Sequence, residues 1–197
     1  LLFGLSDRIV VTGPWEAAWN RAWGLKGPFE TIDIKQFFDL SRPMEWPVQT
    51  KDRAMHVLYL GRRHPLKGLA YLEQAVRALN ERLSLLGKSE SRGIELRVVS
   101  NAVGAEKEAV WNWCDVLCLP TLSDNFGLVV AEALERGKPV ITTDGAPAWK
   151  NEPRTDAHGR TRLVYLDGYR DGADAQRVEL LKRALGLFLE DAARGAG

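Results

Sequence analysis

Arg62 and Lys67 stand in a loop bounded by glycines, Gly61-Arg62-Arg63-His64-Pro65-Leu66-Lys67-Gly68. Flanking glycines let a backbone turn sharply and approach a ligand closely. Arg62 offers a planar fork of donors, and Lys67 a compact charge at the start of the next helix. With the free N–H groups of a first helical turn, the pair suits a diphosphate. A second cluster lies further on, Ser123-Asp124-Asn125-Phe126-Gly127-Leu128-Val129-Val130-Ala131-Glu132. Asp124 precedes a helix and can cap its N-terminus. Gly127, in the first turn, lets a ligand reach the exposed N–H groups, and the helix start carries about half a positive charge that favours an anion. Glu132 follows two turns on, on the same broad side, where a carboxylate can accept paired hydrogen bonds from sugar hydroxyls. Taken singly, each cluster also has a plain reading: a solvated basic loop, and a helix cap with an unrelated surface glutamate.

The elements that must position these residues follow from periodicity. Arg8 to Thr12 reads as a short strand, broken by Gly13-Pro14, which starts a helix ended by Gly24. Phe29 to Ile34 is a second short strand, and residues 35–54, with Pro43 and Pro47, read as a linker. His56-Val57-Leu58-Tyr59-Leu60 is a continuous apolar run, as expected of a strand buried on both faces. Leu69, Leu72, Val76, Leu79 and Leu83 step by three and four, which predicts a helix. Strands at 94–99, 116–119 and 140–142 then alternate with helices at 106–113 and 126–136, the latter ended by Gly137. A strand at 163–166 and a helix at 177–189 complete the chain, and residues 150–162 read as polar and exposed. This alternation predicts an α/β fold, a Rossmann-like doubly wound parallel sheet with helices on both faces. Ligands bind such sheets outside the carboxyl ends of the strands, where both clusters fall.

Composition narrows the class. The 197 residues suffice for one ordinary domain and part of a second. A formal net charge of +1 gives no support for duplex binding, so no nucleic-acid partner is expected. No apolar run approaches the roughly 20 residues that span a bilayer. The first residue is Leu1 rather than Met, which suggests a fragment boundary that has removed any targeting signal. Cys114 and Cys118 lack metal-ligand company and read as small buried apolar residues, so a reduced, cytoplasmic setting is expected. His56, His64 and His158 are scattered, with no metal-ligand spacing. Trp15, Trp19 and Trp23 share one helical face and read as packing anchors, a face left bare if its covering domain is absent. Arg154, Arg160 and Arg162 read as a solvated loop.

Together the clusters, in the order Gly-Arg…Lys-Gly, then Pro120-Thr121-Leu122-Ser123-Asp124-Asn125-Phe126-Gly127, then Gly137-Lys138-Pro139-Val140-Ile141 and Gly145-Ala146-Pro147-Ala148-Trp149, carry a resemblance. The chain resembles the C-terminal donor domain of family 4 glycosyltransferases of the GT-B fold, above all bacterial members that build lipopolysaccharide or other surface glycans. The likeness is strong over residues 55–149. It implies a retaining hexosyl transfer from a nucleotide-diphosphate sugar to a glycan or lipid-linked acceptor. By position Arg62 and Lys67 would hold the diphosphate, Asp124 would stand near the donor sugar, and Glu132 would meet the ribose. Gly61, Asn125, Phe126, Gly127 and Leu128 would line the donor, partly through backbone N–H groups. No cofactor is implied beyond the donor, and with no Asp-x-Asp motif the transfer is expected to be metal-independent. The resemblance divides the chain into a remnant of an N-terminal acceptor domain (1–35), a linker (36–54) and the donor-binding domain (55–197). Most of the acceptor domain would be missing, and through it the enzyme would associate peripherally with the inner face of the membrane.

Three departures accompany the likeness. Asp124 is one methylene shorter than the usual Glu, the stretch from Val99 to Val110 is short, and the first 35 residues match only a final strand and helix of the acceptor domain. The first two motivate an alternative, a non-catalytic nucleotide-binding or interaction module. A sugar-nucleotide epimerase shares the two-domain architecture. A dinucleotide oxidoreductase fits less well, because no Gly-x-Gly-x-x-Gly follows a strand.

Overall fold

Residues 8–44, 53–87 and 93–194 are described by a computed structural model. Residues 45–52 of the expected linker lie outside them, as does the start of the chain at Leu1. The chain order is β1 (Ile9–Val11), α1 (Pro14–Ala22), β2 (Phe29–Thr31), β3 (Met55–Leu60), α2 (Leu69–Leu85), β4 (Ile94–Val99), α3 (Gly104–Trp113), β5 (Val116–Leu119), α4 (Leu128–Glu135), β6 (Val140–Thr143), β7 (Leu163–Leu166) and α5 (Asp174–Arg194).

Strand alternation explains the main body. Met55, Val57 and Tyr59 of β3, with Val116 and Cys118 of β5, point to one face and pack on α2 and α5. Leu58 and Leu60, with Leu117 and Leu119, point to the other and pack on α3 and α4. A sheet clothed by helices on both faces must be apolar on both, which is why these strands read as unbroken apolar runs. The five strands are all parallel, in the order β4-β3-β5-β6-β7. From β3 the chain steps outward to β4, then crosses back to β5 on the other side of β3. The direction of winding therefore reverses between β3 and β5, and a crevice opens there at their carboxyl ends. The α/β, doubly wound parallel sheet expected from the sequence is the fold observed.

β1, α1 and β2 form a separate parallel pair with a small core of Ile9, Val11 and Ala17 against Phe29. Here the tryptophan stripe departs from its expected packing. Trp15 is half-buried, but Trp19 is 39% and Trp23 86% exposed, with the Arg170 guanidinium 5.3 Å from the Trp19 ring.

The segment after β2 makes a 3-10 turn over Ile34–Phe37, and Met44 enters the sheet's core. An ionic network ties it down. Lys35 pairs with Glu152 at 2.8 Å, Glu152 pairs with Arg162 at 3.0 Å, and an Arg162 guanidinium N–H donates to the Leu40 carbonyl at 2.6 Å. Arg162 is therefore buried rather than part of a solvated loop, at 6% exposure. Its charge is paired with Glu152 and one terminal N–H group finds the Leu40 carbonyl, while its Nε has no partner among the described residues.

Candidate functional site

The basic loop leaves β3 at Gly61. The Tyr59 hydroxyl donates to the Arg62 carbonyl at 2.7 Å and fixes the turn. Burial pushes the Tyr59 hydroxyl up to about 12, so it remains a protonated donor at neutral pH. His64 spends its Nδ1 accepting the Leu66 N–H at 3.2 Å, which starts a short 3-10 turn over Pro65–Lys67. Gly68 then takes a left-handed conformation that lets α2 begin hard against the second loop.

The two loops are joined by hydrogen bonds. The Leu66 carbonyl accepts from the Leu122 N–H at 2.7 Å and from the Thr121 hydroxyl at 3.1 Å. That contact brings Lys67 to Asp124: the ammonium lies 2.6 Å from Asp124 Oδ2 and 3.2 Å from the Ser123 carbonyl. Both side chains are four-fifths buried or more. Asp124 Oδ1 accepts the Gly127 N–H at 3.1 Å, and the Asp124 N–H donates to the Gly145 carbonyl at 2.8 Å. Asp124 thus links Lys67 to the entrance of α4. It is not the helix's N-cap, however. Gly127 holds that place with φ +72°, and α4 starts at Leu128, two residues later than expected. The Gly127 amide is consequently spent on Asp124. No acceptor for the Phe126 or Leu128 amide is found among the described residues.

Behind Phe126 stands Trp149, from the Gly145-Ala146-Pro147-Ala148-Trp149 run. Its indole N–H donates to the Phe126 carbonyl, and the two rings pack at 5.2 Å between centroids. Glu132 lies on α4 and pairs with Lys107 of α3 at 2.8 Å. Glu132, Lys107, Gly61, Arg62, Asn101 and Ala102 line a cavity of about 200 Å³ beyond the end of β3, with Leu60 and Val129 as its apolar wall. Arg62 is exposed and makes no ion pair among the described residues.

The structure therefore places all nine predicted residues along one edge. Gly61, Arg62 and Glu132 share the cavity. Lys67 and Asp124 form an ion pair beside it, and Asn125, Phe126, Gly127 and Leu128 form the loop between. Sequence reasoning assigned no role to Tyr59, Asn101, Lys107 or Trp149. Tyr59 sits inside an apolar run and Trp149 inside a quoted motif, so neither gave a separate signal. Lys107 reaches Glu132 only because the fold lays α3 beside α4.

An edge of cations, helix starts and a carboxylate can bind an anionic ligand with hydroxyls, and solved structures with this architecture include sugar-transferring enzymes. Sucrose-phosphate synthase of Thermosynechococcus elongatus superposes with a TM-score of 0.60 at 20% identity, covering 95% of this chain and 50% of that one. A pneumococcal O-GlcNAc transferase, solved with UDP and GlcNAc, superposes at 0.54 with 18% identity, covering 90% of this chain and 37% of that one. These likenesses are of fold, and the fold is the Rossmann-like half of a GT-B glycosyltransferase. Among curated sequences, a D-inositol 3-phosphate glycosyltransferase of Pseudarthrobacter chlorophenolicus is 34% identical over 143 residues, 61% of this chain and 33% of that protein. A phosphatidyl-myo-inositol mannosyltransferase of Mycobacterium tuberculosis is 29% identical over 129 residues, 57% of this chain and 33% of that protein. The chain spans about a third of the length of these curated relatives. The family described as "Glycosyl transferases group 1" matches residues 54–175, which hold the whole candidate edge, and the chain belongs to that family.

Proposed function

We propose that this chain is the nucleotide-sugar-binding half of a retaining family 4 glycosyltransferase, moving a hexosyl group from a nucleotide-diphosphate sugar to a glycan or lipid-linked acceptor. One observation carries the reading: Arg62, Lys67, Asp124 and Glu132 gather at the carboxyl ends of β3 and β5, where the winding of the sheet reverses. Such a crevice is where doubly wound folds bind nucleotides. In this reading the diphosphate lies against Arg62 and the Lys67 ammonium. As the glycosidic bond breaks, charge builds on the leaving diphosphate, and fixed cations beside it lower the barrier. Lys67 must then share its charge between Asp124 and phosphate. Asp124, held by Lys67 and the Gly127 amide, turns its carboxylate toward the donor sugar. Glu132 lines the cavity and would share its carboxylate between Lys107 and the ribose hydroxyls.

The activities for which the relatives are named support sugar transfer, and the UDP-bound structural neighbour supports a nucleotide donor. Within this reading, residues 55–197 are the donor unit and β1-α1-β2 is the last part of an acceptor domain. Transfer proceeds without a metal, and the enzyme works in the cytoplasm at the membrane's inner face, on glycan or lipid acceptors for surface polysaccharide.

Ligand-induced stabilisation tests the site. A ligand that binds only the folded chain raises its stability by about 2.7 kcal/mol at a hundredfold excess over its Kd. The expected outcome is a rise in Tm with one of UDP, GDP, ADP or their sugar conjugates, lost in both Lys67→Ala and Glu132→Ala. If both variants respond like the parent, these residues do not hold the donor.

A further inference from the structure

Among the described residues, Asn125 is held by the N-terminal unit and not by its own domain. Its side-chain amide donates to Glu16 Oε1 at 3.3 Å, and its amide oxygen lies 3.3 Å from the Thr12 hydroxyl. Its main-chain carbonyl accepts the Trp15 indole N–H at 3.2 Å. Glu16 is itself fixed, because its Oε2 accepts the Thr12 N–H at 2.6 Å and the Thr12 hydroxyl at 2.9 Å. Thr12, Trp15 and Glu16 lie at the end of β1 and the start of α1, more than a hundred residues away in sequence.

The consequence for the loop follows from peptide geometry. All described peptide bonds are trans, so the Phe126 N–H points opposite to the Asn125 carbonyl, away from Trp15. The next carbonyl, of Phe126, is held by Trp149. Two consecutive peptides of the loop are therefore set by two indoles, one from each unit. With the N-terminal unit displaced, the Asn125–Phe126 peptide loses its anchor, and the donor domain offers no described substitute.

We infer that Glu16 and Trp15 are positioning residues: docking of the N-terminal unit clasps Asn125 and sets the loop for the donor. The clasp couples the seating of the acceptor-side unit to the binding-competent form of the donor loop. It rests on the reading of this edge as a nucleotide-sugar site, but its geometry can be tested without ligand.

The test exchanges the partners. Asn125→Asp sets two carboxylates face to face, and like charges at this distance repel. Adding Glu16→Gln swaps the roles: the glutamine amide donates to the new carboxylate at position 125, while its oxygen keeps the Thr12 N–H. Amide hydrogen exchange is read at Gly127, whose N–H is bonded to Asp124, with β3, β5 and β6 as folding controls. The clasp predicts exchange at Gly127 faster by about tenfold or more in N125D, the worth of one hydrogen bond to a charged group. It predicts parental exchange in the E16Q/N125D double variant. A residue with a merely structural role would not be rescued by the swap. Titration of UDP, GDP and ADP accompanies each variant, and the nucleotide that binds the parent is expected to bind N125D more weakly. If exchange is unchanged in N125D, or stays fast in the double variant, the clasp is overturned whatever the nucleotides do. If exchange follows the prediction while no nucleotide binds the parent, the clasp stands and the donor-site reading falls.

Discussion

A Cβ at Gly68 would lie 1.9 Å from the Pro120 carbonyl oxygen, and its φ of +67° is one that side chains resist. Gly68→Ala must push the two loops apart, and with them Lys67 from Asp124. We expect a loss of about 2 kcal/mol or more in urea unfolding, from left-handed strain together with the backbone clash. Nucleotide affinity should fall in parallel. Gly68 was legible as a flexible loop boundary, because Gly-Arg…Lys-Gly is a local pattern. The identity of its neighbour was not, since Pro120 arrives from another strand. The same holds for the ion pairs. Lys67, Asp124 and Glu132 stood out by type and spacing, whereas the pairing of Lys107 with Glu132 became visible only once α3 was laid against α4. Asp124 was read as a helix cap and serves instead as a link between Lys67 and Gly127.

At the scale of elements, periodicity located every strand of the main sheet; β3 and β5, buried on both faces, read as apolar runs, whereas the edge strand β4 carries Glu95 and Arg97. Periodicity missed the start of α4 by two residues. A left-handed Gly127 ends the loop there, and glycine type alone does not disclose the sign of φ. Trp149 shows what local patterns omit. It is fully buried, donates to the Phe126 carbonyl, and carries the Lys35 ammonium 4.5 Å above its ring. Trp149→Phe leaves a buried carbonyl without its donor, which costs about 1–3 kcal/mol. Chemical denaturation should register that loss, and the variant should also bind nucleotide more weakly than its residual stability accounts for. Equal affinity in parent and variant would separate Trp149 from the donor loop.

Across the whole molecule, the segment 35–44 was read as part of a linker but is bound to the turn at 149–162. Its anchors are charges far apart in sequence, so no window of residues could reveal them. Asp156 is one anchor, accepting from the Met44, His158 and Arg160 N–H groups. Burial pushes its carboxyl up, but these three N–H groups and the Arg160 charge outweigh that and hold it below the ordinary carboxylate range. A carboxyl lowered on folding stabilises the protein above its unfolded pKa of about 3.9 and loses that contribution as pH falls through the folded value. Asp156→Asn should therefore be less stable than the parent at pH 7, with the difference closing as the pH drops below the ordinary carboxylate range. A difference constant with pH would show that charge at Asp156 is not what holds the segment. The central claim concerns the edge at the ends of β3 and β5, and chemical-shift mapping of a bound nucleotide tests it most directly. With whichever of UDP, GDP or ADP binds, the account predicts perturbed amides at 61–62, 67–68 and 124–128, together with the side chain of Glu132. Perturbation confined to the crevice between residues 40–43 and 153–158, or none at saturating nucleotide, would contradict it.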